Sequence, residues 1–141
     1  MAVRKAKAEW KGSLVGGKGN VEVESGIFKS SYSFQTRFGE EKGTNPEELI
    51  GAAHSACYSM ALSFLLEQNN FKAESILTEA SVYIEKVGDG FKITKIFLDV
   101  KGNVPGIKEE EFLKYANEAK TGCPVSQALA ATKIEMNAVL L

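Results

Sequence analysis

The sequence predicts an α+β fold in which a mainly antiparallel sheet surrounds one long buried helix. Two observations lead to this class. Short runs of alternating apolar and polar residues, typical of strands, lie on both sides of a run that is apolar or small on nearly every helical face. Strands and helices do not alternate one by one, so repeated βαβ units are not indicated. The 141 residues, 44% hydrophobic and 25% charged, fit one globular domain spanning 1–141.

The first three strands are predicted at "AKAEWKG", "NVEVESG" and "SYSFQTRF", where apolar residues recur at every second position. Val21 and Val23 share one face of the second strand. Tyr32, Phe34 and Thr36 share one face of the third. Glycines between these runs mark the turns.

The longest element is a helix predicted from Pro46 to Gln68 within "GTNPEELIGAAHSACYSMALSFLLEQNN". Asn45 can cap it, Pro46 suits the first helical position, and Glu47 and Glu48 suit the positive end of the helix dipole. With a rise of about 1.5 Å per residue, this helix is roughly 35 Å long. A helix that is apolar all round is buried all round, so we expect a second subunit to help cover it.

The remaining elements follow in a simple order. "EASVYIEKV" and "FKITKIFLDVKG" flank the turn "GDG" and predict a hairpin. A charged amphipathic helix in "VPGIKEEEFLKYANEAKTG" ends near Gly122. Pro124 opens a short second helix in "CPVSQALAA", and "TKIEMNAVLL" closes the chain as a strand, the sixth.

Composition and charge exclude several classes of function. The net charge of −1 does not indicate a nucleic acid or an anionic membrane as partner. No apolar run approaches the ~20 residues of a membrane span, and "MAVRKAKAEWKG" lacks the apolar core of a signal peptide. We therefore expect a cytoplasmic protein, whose two cysteines are free, catalytic or redox-sensing rather than joined in a structural disulfide.

Neither a phosphate-binding loop nor a metal site is indicated. "GSLVGGKG" has the glycines and Lys18 of such a loop, but Gly19 stands where a serine or threonine would bind magnesium, and a strand pattern follows instead of a helix. A hairpin turn is the better interpretation. Two cysteines and one histidine without a C-x-x-C spacing do not indicate a zinc site, so no metal is expected.

The two thiols are the candidates for chemistry. Cys57 lies mid-helix, where an apolar setting raises the pKa of a thiol, so alone it is typical of a core residue. To act as a nucleophile it needs a cation. Arg37, predicted at the end of the third strand, keeps its charge when desolvated, although a surface salt bridge is the alternative interpretation.

Cys123 and His54 each allow two interpretations. Cys123 precedes Pro124 and so takes the N-cap position, where cysteines have lowered pKa values, unless it merely ends a loop. It is therefore expected to be the more acidic thiol. His54, one helical turn before Cys57, is either the base for that thiol or a packed, hydrogen-bonded residue, and the second interpretation is favoured.

Two motifs, "EKGTNPEELIGAAHSACYSMALS" and "AKTGCPVSQAL", make the sequence resemble the OsmC/Ohr family, the osmotically inducible protein C and organic hydroperoxide resistance proteins. The resemblance runs from "AEWKG" to the last strand. It is closest to the OsmC branch, because the early glycine turn has Lys18 where the Ohr branch carries its active-site arginine. The OsmC-like arginine matches Arg37 in "QTRF".

The resemblance implies an intertwined homodimer with two long helices at its centre and an active site near the subunit interface. It also implies a thiol-dependent peroxidase that reduces organic hydroperoxides, with hydrogen peroxide as a second candidate, in defence against oxidative or osmotic stress. No cofactor is implied. An external dithiol must supply the electrons, and the family points to lipoyl-type dithiols or a lipoylated protein.

The resemblance assigns roles by position. Cys57 matches the peroxide-attacking thiol, which becomes a sulfenic acid, and Cys123 matches the resolving thiol, which converts it to a disulfide. Arg37 and Glu47 match the family's arginine and glutamate, whereas Glu48 does not. Arg37 would stabilise the thiolate and the leaving oxygen, and Glu47 would orient Arg37 through a bidentate ion pair.

Glu47 and Cys57 are ten residues apart, about 15 Å along a helix axis and turned by roughly 80°. We therefore expect the Glu47 that serves a given Cys57 to come from the other subunit. Tyr32, Phe34 and Phe38 either form an apolar substrate pocket or simply pack on a sheet face. Two alternatives to an enzyme remain: a redox sensor or binding protein that uses the same thiol pair as a switch, and a purely structural dimer.

Overall fold

A computed structural model describes all residues 1–141, with six strands and four helices. Their bounds in chain order are β1 Ala6–Lys11, β2 Lys18–Val23, β3 Lys29–Tyr32, α1 Phe34–Phe38, α2 Pro46–Gln68, β4 Ser75–Val87, β5 Gly90–Asn103, α3 Glu109–Gly122, α4 Pro124–Ala128 and β6 Lys133–Leu140. The chain divides into two compact units, Met1–Leu49 and Ile50–Leu141, so the first turn of α2 belongs to the first unit.

The first unit contains the antiparallel sheet β1–β2–β3, in which the predicted glycine-rich turn joins the first two strands. Gly19 lies in β2, between the rings of Trp10 and Tyr32, whose centroids are 5.4 Å apart. A Cβ at Gly19 would lie 2.5 Å from the Tyr32 ring and 2.8 Å from the Trp10 ring. Glycine at this position is therefore explained by close ring packing across a strand, and the interpretation as a hairpin is confirmed.

The prediction that "SYSFQTRF" is one strand was wrong, because β3 ends at Tyr32 and helix α1 follows at once. Ser33 starts the helix with a capping box: its Oγ accepts from the Thr36 backbone N–H at 3.2 Å, and Thr36 Oγ1 accepts from the Ser33 backbone N–H at 2.8 Å. These bonds satisfy amides that an isolated short helix would leave unpaired. Arg37 consequently lies in the last turn of α1, not at the end of a strand.

Helix α2 begins as predicted. The Asn45 side chain accepts from the Glu48 backbone N–H at 2.8 Å and so caps the first turn, and Pro46 is the first helical residue. The Asn45 amide also donates to the Thr36 carbonyl at 3.0 Å, which ties the start of α2 to α1 within the first unit.

Within one chain, α2 is buried on one face rather than on all faces. The buried stripe, at helical spacing, consists of Gly51, His54, Tyr58, Leu62 and Leu66. The opposite face is exposed although it is small or apolar, and it consists of Ala52, Ala53, Ala56, Met60 and Phe64.

By length and composition alone, the 23 residues of α2, with a mean hydropathy of 1.5 in their apolar window, could also cross a membrane, and 28% of that window is buried. This is weak evidence, because core helices of soluble proteins pass the same test.

The second unit contains the sheet β4–β5–β6, so the single six-stranded sheet expected from the sequence was wrong: there are two sheets of three strands. Strands β4 and β5 form the predicted hairpin, with Gly88 at a φ of 62° in its turn. Strand β6 pairs with β5 in parallel, because α3 and α4 form the long connection that a parallel pair needs.

Tyr58 joins α2 to the rest of the second unit. Its hydroxyl donates to the Ala116 carbonyl at 2.9 Å, and it lies 3.1 Å from Met136 Sδ. Ser59 Oγ and Thr78 Oγ1 are 2.8 Å apart, which fixes the same turn of α2 against β4. Cys57 is therefore held on a helix that hydrogen bonds to both the sheet and α3.

Candidate active site

An ion pair in the first unit brings two predicted site residues together. Arg37 donates from Nε to both carboxylate oxygens of Glu47 at 3.1 Å and from Nη2 to Oε1 at 2.6 Å. The bidentate geometry expected for this pair is present, and it forms within one chain. Glu47 is buried and Arg37 is partly exposed. A fork of this kind fixes the guanidinium plane, and it leaves Nη1 free to face another anion.

An aromatic pocket surrounds this guanidinium. A cavity of about 230 Å³ is lined by Trp10, Leu14, Tyr32, Ser33, Phe34, Arg37, Phe38 and Pro46. The guanidinium carbon lies 5.3 Å from the centre of the Phe38 ring, and the Phe34 and Phe38 rings are 4.9 Å apart. A fixed positive charge in an apolar pocket suits a substrate that is apolar at one end and develops negative charge at the other.

The second unit brings the two cysteines together. Both are free thiols; Cys57 is partly exposed and Cys123 is fully buried. They lie close enough that Cys123 and the Val125 backbone N–H both affect the pKa of the Cys57 thiol. Cys57 is thus the more accessible of the two thiols in this chain.

Cys57 has little help with ionisation from its own unit. Burial raises the pKa of the Cys57 thiol, and the neighbouring Cys123 acts in the same direction, whereas the Val125 N–H lowers it. This agrees with the expectation that Cys57 needs a cation to become a nucleophile at neutral pH.

Cys123 caps α4 as expected. Its backbone has extended angles (φ −64°, ψ 137°), and its Sγ accepts from the Ser126 backbone N–H at 3.2 Å. Cys123 Sγ is also 3.2 Å from the Ser126 hydroxyl oxygen. The sequence places this sulfur correctly because Pro124 fixes where the helix begins.

His54 is a buried, hydrogen-bonded residue, which was the favoured interpretation. Its Nε2 lies 2.7 Å from Ser126 Oγ, and burial lowers the pKa of its imidazole. Ser126 was not among the residues predicted from the sequence. The available signal was its position three residues after an N-cap cysteine, where its amide must meet the cap.

No group of three or more His, Cys, Asp or Glu side chains is arranged to hold a metal ion. The candidates for chemistry are the ion pair in the first unit and the two thiols in the second.

Comparison with known proteins identifies relatives over most of the chain. The model of the OsmC-like protein family matches residues 39–137. Peroxiredoxin OsmC of Escherichia coli (strain K12) is 53% identical over 129 residues, covering 91% of this chain and 90% of that protein. Organic hydroperoxide resistance protein-like 2 of Staphylococcus epidermidis is 32% identical over 119 residues, covering 80% of each chain.

Solved structures share the fold. The organic hydroperoxide resistance protein OhrB of Bacillus subtilis has a TM-score of 0.73 at 24% identity and covers 97% of this chain and 98% of its own. An OsmC-like protein from Mycoplasma pneumoniae has a TM-score of 0.76 at 16% identity and covers 99% and 98%.

Proposed function

The chain belongs to the OsmC-like family and is a thiol-dependent peroxidase, and we propose that it reduces organic hydroperoxides at Cys57 with Cys123 as the resolving thiol. The observation that carries this proposal is a partly exposed thiol with a buried thiol close enough to affect its pKa. Peroxide reaches the outer thiol, and the inner thiol is protected until a sulfenic acid forms.

The proposed reaction proceeds in three balanced steps. The Cys57 thiolate attacks one peroxide oxygen, the O–O bond breaks, and the alkoxide leaves and takes up a proton to become an alcohol. Cys123 then attacks the Cys57 sulfenic acid, an S–S bond forms, and the S–O bond breaks to release water. An external dithiol reduces the disulfide by two thiol exchanges and is itself oxidised. No cofactor is needed, and a lipoyl-type dithiol is the proposed reductant.

Arg37 is proposed to supply the positive charge that the thiol cluster lacks. Glu47 orients its guanidinium through the bidentate pair, so the remaining Nη1 can stabilise the thiolate and the departing alkoxide. Because Glu47 and Cys57 lie about 15 Å apart along one helix, we propose that this Arg37 serves Cys57 of the partner subunit. The aromatic pocket around Arg37 would hold the organic part of the hydroperoxide.

Peroxide turnover tests the function. With an excess of a lipoyl dithiol, the protein is expected to consume many equivalents of an organic hydroperoxide per chain, measured by residual peroxide. A redox sensor would stop after about one equivalent, because its switched state is stable. The location proposed for this reaction is the cytoplasm, where reducing conditions keep both thiols free. Comparing organic hydroperoxides with hydrogen peroxide at equal concentration tests the pocket.

A homodimer is proposed to form across the exposed face of α2. Met60 and Phe64 are 75% and 58% exposed in one chain, and the alanines Ala52, Ala53 and Ala56 continue the same face. Small residues allow close helix approach, and the larger apolar residues supply buried area. A second copy fits this face because a twofold axis places two like apolar stripes against each other.

Sedimentation tests the dimer. Phe64→Glu is expected to convert a dimer into a monomer, because a charge would replace apolar area within the proposed interface. Glu110→Lys, a charge change at an exposed position on α3 and so outside this face, is the matched control and should leave the dimer intact. A wild-type chain that sediments as a monomer at micromolar concentration contradicts the proposal. Co-sedimentation of the wild type with lipid vesicles would assign this face to a lipid surface instead.

A further inference from the structure

A chain of hydrogen bonds links the buried histidine to the resolving thiol. His54 on α2 is 0% exposed, and its Nε2 is 2.7 Å from the Ser126 hydroxyl on α4. The same hydroxyl is 3.2 Å from Cys123 Sγ, and the Ser126 backbone N–H lies 3.2 Å from that sulfur. His54 and Ser126 are 72 residues apart in sequence, so packing alone brings them together.

Two arrangements of hydrogens fit these distances. In the first, the protonated Cys123 thiol donates to Ser126 Oγ, the hydroxyl donates to His54 Nε2, and the imidazole hydrogen is on Nδ1. In the second, which the Cys123 thiolate requires because it has no hydrogen to donate, Nε2–H donates to Ser126 Oγ and the hydroxyl donates to the Cys123 sulfur, so Nδ1 carries only a lone pair.

The burial of Nδ1 favours the second arrangement. This nitrogen is buried and has no hydrogen-bond partner in the protein. An unpaired buried N–H is more costly than an unpaired acceptor, so the neutral imidazole is best placed with its hydrogen on Nε2. The sulfur of Cys123 then accepts two hydrogen bonds from Ser126, one from the backbone and one from the hydroxyl. Two donors aimed at one sulfur stabilise its thiolate.

We propose that His54 is a positioning residue for Cys123: its Nε2–H holds the Ser126 hydroxyl so that the O–H points at the Cys123 sulfur and stabilises the thiolate. The proposal rests on the resolving role proposed above for Cys123. His54 does not have to gain or lose a proton, which agrees with burial lowering the pKa of its imidazole.

The donor chain acts at two points of the reaction. When Cys123 attacks, its thiolate donates an electron pair to the Cys57 sulfur, and the hydroxide that leaves takes up a proton to become water. When an external thiolate attacks the Cys57 sulfur of the disulfide, the S–S bond breaks and its electron pair leaves on Cys123. A stabilised thiolate is the better leaving group in that exchange.

Several titratable groups lie near this chain of hydrogen bonds. Cys57 and Tyr58 are on α2, and Lys120 and Lys133 line a surface cavity together with Ser126. Burial, followed by the charge of Cys123, raises the pKa of the Tyr58 hydroxyl. No lysine, arginine, aspartate or glutamate contributes to the pKa shifts of His54, Cys57 or Tyr58.

The test measures the pKa of Cys123 directly. Cys57→Ser leaves Cys123 as the one cysteine of the full chain, and the Cβ chemical shift of ¹³C-labelled cysteine reports its ionisation as pH is raised. Ser126→Ala and His54→Leu are each expected to raise this pKa by about one unit, a tenfold weaker ionisation. Ser126→Thr and His54→Gln retain a donor at the required position, so the Cys123 pKa in these variants is expected to stay close to that of the parent.

A structural role alone predicts a different result. Ser59→Ala removes another hydroxyl from α2 without touching the chain to Cys123, so it should change stability but not the Cys123 pKa. A pKa in Ser126→Ala and His54→Leu equal to that of the parent overturns the proposal. The proposal is also overturned if Ser126→Thr and His54→Gln are folded but raise the Cys123 pKa as much as Ser126→Ala and His54→Leu do.

A second measurement follows resolution in the protein with both cysteines. After one equivalent of hydroperoxide is added, dimedone traps the Cys57 sulfenic acid at successive times. The lifetime of the sulfenic acid is determined in this way across a range of pH. Ser126→Ala is expected to lengthen the lifetime of the sulfenic acid about tenfold at pH values below the Cys123 pKa. At pH values above that pKa the lifetime should equal that of the wild type. If the wild type forms no sulfenic acid, the proposed peroxidase mechanism is wrong. The titration of Cys123 still tests whether the hydrogen bonds from His54 through Ser126 stabilise its thiolate.

Discussion

Replacing Cys57 with serine is expected to abolish peroxide turnover, lowering kcat/KM by at least about a thousandfold, because a serine hydroxyl at neutral pH is a far weaker nucleophile than a thiolate. Serine is close to cysteine in size, so the packing of Cys57 against the core is largely kept. The measurement is peroxide consumption with an excess of a lipoyl dithiol.

Cys123→Ser is the matched control for this prediction. It retains Cys57, so it should reduce about one equivalent of hydroperoxide and then accumulate a sulfenic acid that dimedone traps. Two results would contradict the assignment of Cys57 as the nucleophile. One is sustained turnover by Cys57→Ser, and the other is an equal loss, in both variants, of the reduction of the first equivalent of hydroperoxide.

The second large effect is expected at Arg37. Arg37→Met should lower kcat/KM by about a hundredfold to a thousandfold, the usual loss when a charge-stabilising donor is removed. Because burial raises the pKa of Cys57, the variant should recover part of its rate as pH increases and the thiol ionises without help. A rate defect that is the same at every pH would mean that Arg37 does not act on the thiolate.

Glu47→Gln tests the orientation of the guanidinium. It removes the charge that holds Arg37 and is expected to cost up to about a hundredfold, since a shift of about 1 Å in a charged group can cost that much. Glu48→Gln is the matched control, because Glu48 lies next in the chain, is exposed and makes no bond to Arg37. Glu47→Gln should add little to Arg37→Met, because both act through one guanidinium.

Mixed dimers decide which subunit supplies the arginine. A heterodimer of one Cys57→Ser chain and one Arg37→Met chain contains one complete site if the arginine crosses the interface, and none if it stays within its own chain. About half of the wild-type activity is expected in the first case, from one site of two. An inactive heterodimer would place both groups in one chain.

Much of the fold was predictable because its signals are local. The start of α2 depends on Asn45 and Pro46, the turn of the β4–β5 hairpin on "GDG", and the start of α4 on Pro124. Each is a matter of a few neighbouring residues with restricted backbone angles or a side chain that caps the next amides. The candidate pairs Arg37–Glu47 and Cys57–Cys123 came from the family resemblance, and both pairs lie together in the structure.

The errors have physical reasons too. The alternation of Tyr32, Phe34 and Thr36 satisfies a period of two, and a helix of 5 residues is too short to show a period of 3.6, so the capping box at Ser33 decided the outcome. The parallel pairing of β6 with β5 was not visible, because strand patterns carry no information about which neighbour a strand joins.

The sequence by itself determined where α2 and α4 begin and where the β4–β5 hairpin turns, which residues are thiols, and that α2 is more apolar than one chain can cover. Only the tertiary structure decided which face of α2 is buried, that Cys57 is the accessible thiol and Cys123 the buried one, and that His54 reaches Cys123 through Ser126. The reason is that caps, turns and periodicity act between neighbours in sequence. Contacts between α2 and α4 depend on how distant elements pack, and no local pattern encodes that distance.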